Sequence, residues 1–356
     1  MGYESKLPAV VSPPRRCAAA LLLCLAACPR LEAPAEPPQL PLPAVTRVDP
    51  GDPLREPAEL HLAHVRQISF GGRAGPPLFT EGGKRLAFLV WAPDGGAVVP
   101  HLLDLPSGRE LPVASLPAGG SPADLWLSRQ GEPCLDLRAA CPEGAPCPVS
   151  RSVPLAAVGD PAGAAAGCAP PRFPLPIAGG CATDAAGDWA CPLVGPSTGP
   201  RLWLWPARAA SPRDLGPASA RDGQPPAFSP DGRRLAWTEP APAQADAPGT
   251  SAIAVASLVD GRIEELGPPD QSDRHPAWFP DGHGLLFDSN ADDAAGRDVD
   301  VFRMGDDGQE LERLTFAPGA DVAPAISSDG RRLAWVSERN AAVAGERDVF
   351  VADWAE

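Results

Sequence analysis

Five side chains stand where they could converge on a ligand. Asp222, Asp273 with Arg274, and Asp321 fall at equivalent points of a repeated pattern, in the loops ahead of apolar strands, and His275 follows Arg274. Carboxylates beside a guanidinium and an imidazole at one mouth would bind a charged partner or ligand; the plainer reading is loop charges that keep a surface solvated. A second cluster is the loop from Asp288. Asp288, Asn290 and Asp292 alternate, as oxygen ligands do in a calcium loop. The loop glycine is missing there, because Asp293 occupies its place, and the distal bidentate glutamate is absent. A hydrated inter-strand loop is the competing explanation, and no cofactor other than this weak calcium candidate is implied.

Hydrolytic chemistry is not signalled. The chain has no G-x-S-x-G elbow and no H-E-x-x-H pair. Its five histidines are scattered; His61 and His64 have helical spacing ahead of the first strand and read as a solvated lead-in. Nine cysteines are present. Cys134, Cys141, Cys147, Cys168, Cys181 and Cys191 lie close together, an even set that suggests disulfides in an exported protein. Cys181 and Cys191 flank a turn at Ala186-Gly187 and are the favoured pair. Cys141 with Cys147 and Cys134 with Cys168 are the companion pairings. Zinc is the rival, but no two of the six have two-residue metal spacing and no histidine is near.

The elements that must position these residues repeat. LFTEGGKRLAF from Leu78, AFSPDGRRLAW from Ala227, AWFPDGHGLLF from Ala277 and AISSDGRRLAW from Ala325 each read as strand, tight turn, strand. In Ser229-Pro230-Asp231-Gly232, proline presets the first turn angle, aspartate caps the backbone and glycine takes a positive φ. Two weaker turns, at Gln130-Gly131 and Ala186-Gly187, fill the gap, with steps of 48, 56, 45, 50 and 48 residues from Gly82 to Asp329. That period is a propeller blade, and there are six. A third apolar strand follows each hairpin, and an outer fourth follows several, as in Arg109–Val113 and Leu311–Phe316. The last blade has no fourth strand, while VRQISF (Val65–Phe70) precedes the first and looks like ERLTF. The fold class is therefore all-β, a six-bladed β-propeller whose N-terminal strand completes the last blade and closes the ring, leaving no open edge.

The N-terminus reads as an address. Arg15-Arg16 precedes an uncharged apolar run, Cys17 to Ala27, of signal-peptide length. It ends in Leu25-Ala26-Ala27-Cys28, which resembles a bacterial lipobox and makes Cys28 the lipidated residue. Domains follow: 1–27 lipoprotein signal peptide, 28–59 proline-rich tether, 60–356 propeller. Polyproline stretches rise about 3.1 Å per residue, so the tether holds the ring away from the membrane. Pro29 after the cysteine favours the outer membrane, facing periplasm or cell surface. Loss of Lys6, Arg15, Arg16 and Glu4 with the signal takes the formal charge from −15 to −17. Such a surface repels phosphate backbones and anionic headgroups, which disfavours nucleic acid and leaves the lipid to hold the membrane.

The SPDGRRLAW core, the terminal DVFVADW and the ERLTF outer strand resemble the TolB-type propeller family, over roughly Leu60 to Glu356. The likeness is strong in the first and last three blades and weak from about Pro117 to Pro206. It implies a monomeric, noncatalytic scaffold that binds a cell-envelope protein, such as a peptidoglycan-associated one. The sequence departs from that family in having no mixed domain ahead of the propeller, and in its cysteines and lipid anchor. Two other functions fit a propeller: a lyase or lactone hydrolase with a metal in the channel, and a small-ligand or glycan receptor using Trp126, Trp203 or Trp205, for most of which alternate strand positions favour core packing.

Overall fold

The computed structural model describes residues 52–92, 98–111, 113, 121–138, 149–155, 168, 175, 177, 180–195, 199–208, 211–219, 225–240, 250–267, 271–293 and 297–355. Residues 1–27, expected as a signal peptide, Cys28, most of the expected tether, Cys141, Cys147 and Asp222 lie outside them. After β1 (Leu62–Gln67), blade 1 holds β2 (Arg73–Ala74), β3 (Leu78–Thr80), β4 (Arg85–Trp91), β5 (Val98–Asp104) and β6 (Arg109–Glu110). Blade 2 holds β7 (Ser121–Leu127), β8 (Pro133–Arg138) and β9 (Val149–Pro154). Blade 3 holds β10 (Ala182–Thr183), β11 (Trp189–Val194), β12 (Pro200–Trp205) and β13 (Arg213–Pro217). Blade 4 holds β14 (Ala227–Phe228), β15 (Arg234–Pro240), β16 (Ser251–Ser257) and β17 (Ile263–Leu266). Blade 5 holds β18 (Arg274–Trp278), β19 (Gly284–Ser289), β20 (Asp300–Gly305) and β21 (Glu312–Arg313). Blade 6 holds β22 (Asp321–Ile326), β23 (Arg332–Ser337) and β24 (Asp348–Trp354).

Each blade is one antiparallel sheet, and the last runs β1-β24-β23-β22. Leu62 pairs with Trp354 and Gln67 with Phe350, so the N-terminal strand closes the ring as its likeness to ERLTF predicts. It begins at Leu62, ahead of the expected Val65, because a bulge between Ala63 and Arg66 lets earlier residues pair. The six first strands touch in cyclic order, β3, β7, β10, β14, β18, β22, and β22 meets β3 again.

Stacked blades bury both faces of each inner sheet. Leu235, Ala236 and Trp237, Leu285, Leu286 and Phe287, and Leu333, Ala334 and Trp335 are all buried, so the Leu-Ala-Trp run is a continuous apolar core strand and not an alternating one. Five seams between blades carry sizeable apolar clusters, such as Leu62, Leu286, Val301, Trp335 and Phe350 between blades 5 and 6. Among the described residues, the seam between blades 2 and 3 shows one small cluster, Trp126, Cys134 and Cys168 with Trp189, and blade 3 holds another around Cys181, Cys191 and Leu193.

The hairpin turns form a second ring. Ser229 donates its hydroxyl to Asp231 at 2.6 Å, and Asp231 accepts the Arg233 N–H. Gly232 has φ +67°, and a Cβ there would stand 3.0 Å from the Asp184 carboxylate of the blade before. Arginines reach from turn to turn: Arg234 donates to the Gly282 carbonyl at 2.7 Å, Arg332 to Gly83 at 2.9 Å and Arg129 to Ala185 at 2.8 Å. The basic residues of the SPDGRR sentence thus include ring fasteners. The third-to-fourth-strand turns lie at this same end, since Leu258 N–H donates to the Arg233 carbonyl.

Candidate functional site: the end where inner strands begin

At the opposite end, β18 opens on Asp273-Arg274-His275 and β22 on Asp321. The expectation of solvated loop charges is corrected here: Asp273 and Asp321 are each 1% exposed. Asp273 accepts the Ser289 hydroxyl at 2.5 Å, and its carbonyl accepts the Ser251 hydroxyl. Burial pushes its pKa up to about 6; the Ser289 hydrogen bond opposes this and the Asp288 charge adds to it. Asp321 accepts from Arg339 Nη2 at 2.6 Å, and the same nitrogen reaches Glu59 at 2.7 Å. The guanidinium lies over Trp335. Burial works against the charge on Arg339, but Asp321 and Glu59 together outweigh it and hold its pKa above the ordinary value. Glu59 is fully buried and also accepts the Phe316 N–H, while Asp52 accepts from His64 and Val65. Residues 52–59, read as the end of a free tether, are therefore packed on blade 6. Proline content hid this, because the partner Arg339 lies 280 residues away.

His275 and Asp288 meet directly. His275 Nδ1 bonds Asp288 Oδ1, and Asp288 is fully buried. The same carboxylate oxygen accepts the Ala323 N–H of blade 6 at 2.9 Å, and the His275 N–H donates to Thr238 Oγ1 of blade 4 at 3.1 Å. Asp288 Oδ2 has no hydrogen-bond partner among the described residues. His275 has φ +58° and Ala323 φ +54°, both at bulges in their first strands. Because an alanine takes the same conformation one blade on, the strain belongs to the fold. A small cleft, of about 20 Å³, lies beside His275 across blades 3 to 5. Trp237, Leu202 and Pro226 give it an apolar wall; Arg274, His275 and Thr238 give it a polar one.

Farther out, two equivalent carboxylates escaped sequence reasoning. Asp300 accepts the Thr315 hydroxyl at 3.2 Å, and Thr315 Oγ1 accepts the Val301 N–H. Asp348 accepts the Ser69 hydroxyl at 2.9 Å, and Ser69 Oγ accepts the Val349 N–H. The signal was present in the likeness of RQISF to ERLTF, which aligns Ser69 with Thr315. Burial pushes each pKa up to about 7, against the Arg313 charge at Asp300 and against the Ser69 hydrogen bond at Asp348.

The remaining candidates disperse. Asp288 serves His275 and Ala323, Asn290 accepts the Ser272 N–H, and Asp292 pairs with Arg313, so the calcium ladder does not converge. Among the described residues no three metal-ligating side chains come together. His61 bonds Glu312 and the Ala355 carbonyl, and His64 bonds Asp353; both belong to the ring closure and not to a lead-in. Disulfides join Cys134 to Cys168 and Cys181 to Cys191. Ala182 faces Ala190 across the hairpin, which sets Cys181 opposite Cys191 in the next register position. Trp126 is buried, donates to Asp136 and meets Trp189 edge-on, while Trp203 and Trp205 pack half-buried against the Cys181–Cys191 cluster.

No family model matches the chain. Over 131 residues, 36% of its length, it is 30% identical to the protein TolB homolog of Chlorobium luteolum, a match spanning 26% of that relative. Over 115 residues it is 30% identical to the protein TolB homolog of Chlorobium chlorochromatii, spanning 32% of this chain and 23% of that one. The chain thus spans about a quarter of the curated relatives it matches. Among solved structures, a putative TolB from Agrobacterium tumefaciens aligns over 80% of this chain and 78% of its own, at 15% identity and TM-score 0.40. A gluconolactonase from Xanthomonas campestris aligns over 88% and 94%, at 14% identity and TM-score 0.48. Likeness at such identities concerns the fold and says nothing of activity.

Proposed function

We propose that this chain, a TolB-like six-bladed β-propeller, is a noncatalytic scaffold that binds a cell-envelope protein at the end where its inner strands begin. The observation that carries the reading is how the charged groups at that end are used. Asp273, Asp288, Asp321 and Arg339 spend their hydrogen bonds on fastening strands, blades and the N-terminal segment. Beside them lies a small cleft with Arg274, His275 and Thr238 on one side and apolar side chains on the other, which marks the rim of this end as the place for a protein to dock. The matched relatives carry the TolB name, and the family resemblance makes a peptidoglycan-associated protein the natural partner. Export follows from the signal-like residues 1–27, with Cys28 as lipid anchor, residues from 28 onward as spacer, and the outer membrane as destination. Buried disulfides accord with an oxidising compartment.

The test is site-specific photo-crosslinking in envelope membranes. A photoreactive residue replaces Arg274 in one variant and Val259, 76% exposed at the opposite end, in another. A stoichiometric protein adduct from position 274 and none from 259 is expected. No adduct at 274, or equal adducts at both, overturns the reading. Asp273→Arg and Asp321→Arg are unsuitable controls, since each would bury an unpaired charge.

A further inference from the structure

Blades 5 and 6 carry the same pair of acids two residues apart, and among the described residues only the blade 5 pair has a cation in its midst. Aligned on Asp300 and Asp348, Asp298 matches Glu346; aligned on Thr315 and Ser69, Arg313 matches Gln67. In blade 5, Arg313 Nη2 reaches Asp300 at 2.6 Å and Asp298 at 3.3 Å, so both acids can ionise around one guanidinium. In blade 6, Gln67 Nε2 donates to Asp348 Oδ2 at 2.9 Å and brings no charge. Asp348 and Glu346 instead hydrogen-bond each other, and two carboxyl groups can do so only by sharing a proton. Both are buried. The other side chains around the pair, Ser69, Ser337 and Asn340, are neutral. Of the nearby cations, Arg347 turns to Glu338 at 2.9 Å, Arg339 is held by Asp321 and Glu59, and Arg73 is exposed.

The shared proton lets Glu346 organise a loop. Glu346 Oε2 accepts the Ala342 N–H at 2.7 Å and the Val343 N–H at 3.2 Å, and Oε1 accepts the Gly71 N–H at 2.8 Å. Burial raises the Glu346 pKa, but these N–H groups and Asp348 outweigh it and hold the carboxyl below the ordinary glutamate value. The loop so pinned, Ala341 to Gly345, turns all its residues to solvent, and Val343 is 65% exposed. It joins β23 to β24 at the end where inner strands begin. Ionising Asp348 sets a second negative charge against Glu346 with no cation between them, a repulsion that Arg313 offsets in blade 5. Movement of Glu346 away from Asp348 relieves it and frees the three N–H groups. We propose that Asp348 and Glu346 form a proton-operated clasp, closed in acid with Val343 held outward, and open in alkali with the Ala341–Gly345 loop released. Burial pushes the Asp348 carboxyl up to about 7, which sets the change near neutrality. The inference goes beyond the scaffold reading, since the clasp works whether or not a protein docks.

Amide exchange of the full chain tests it, read residue by residue by nuclear magnetic resonance at pH 5.5 and pH 8.5 and corrected for intrinsic rates. Protection of Ala342, Val343 and Gly71 should fall together by about tenfold or more between the two, the worth of a hydrogen bond to a charged group. The β16 amides of blade 4 should keep their protection. Asp348→Asn retains a donor toward Glu346 at every pH, and Gln67→Arg copies Arg313. Each variant should hold the three amides protected at pH 8.5. Asp348→Asn exchanges a carboxyl for an amide of the same size, so it decides the matter if Gln67→Arg does not fold. Equal protection at both pH values in the unaltered chain, a loss that persists in Asp348→Asn, or a parallel loss in β16 overturns the proposal.

Discussion

In blades 5 and 6 the third strands open on Asp300 and Asp348, each locked to a hydroxyl just past the fourth strand, and Arg339 ties blade 6 to Glu59 through a buried guanidinium. In blades 2 and 3 no such carboxylate begins the third strand, which starts at Val149 and Pro200. The two disulfides among the described residues lie there, beside small apolar clusters of the described residues. The difference teaches that one repeat can be fastened in two ways. Where apolar pattern and turn chemistry are full, polar locks set the register. Where the pattern has thinned, covalent links make up for it by limiting the unfolded chain.

The comparison is broken most severely at Arg339. Arg339→Met leaves Glu59 and Asp321 buried without their cation, and a loss of about 3–5 kcal/mol is expected in urea unfolding. The disulfides come next. Replacing Cys134 and Cys168 by alanine opens the link of sequence separation 34 and should cost about 4 kcal/mol; replacing Cys181 and Cys191, of separation 10, should cost about 3 kcal/mol. Equal losses from the two pairs would show that loop length is not what the links supply.

Acidity sharpens the other side. The folded chain keeps a proton on Asp348 up to about pH 7, whereas the unfolded chain releases it near pH 4. Between those values the folded state holds more protons, so stability falls as pH rises through the window and is level below it. Asp348→Asn should remove up to about 1.4 kcal/mol per pH unit of that slope. The smallest effect is expected at Arg332→Gln, which loses the bond to the Gly83 carbonyl and about 0.5–1.5 kcal/mol, measured by thermal unfolding.

Most of the fold was legible because a propeller writes it locally. Each hairpin turn stands between its own two strands, so Asp231-Gly232 and Ala186-Gly187 announce blades without knowledge of the rest. Even ring closure could be read, since VRQISF repeats the outer strand that blade 6 lacks. The site was legible in part. Arg274 and Asp321 open inner strands, where loops had been expected just ahead of them, and the burial of Asp273 and Asp321 was not foreseeable, because Ser289 and Arg339, which donate to them, lie elsewhere in the sequence. Asp288 was offered only as a weak calcium candidate beside a hydrated-loop reading, and its full burial against His275 and Ala323 was not foreseeable, since alternation in sequence does not reveal which blade a side chain faces. Cys181 with Cys191 was readable because a two-stranded register fixes opposite residues.

Hydrogen exchange of the intact protein tests the division most directly, with and without a reductant, and at pH 5.5 and pH 8. Reductant should raise exchange in β8, β10 and β11 and leave β20, β24 and β1 unchanged. Raising the pH, at matched intrinsic exchange, should loosen β20, β24 and β1 and leave β8, β10 and β11 unchanged. If either treatment loosens all six blades alike, the ring is one cooperative unit and the two kinds of fastening are not regional.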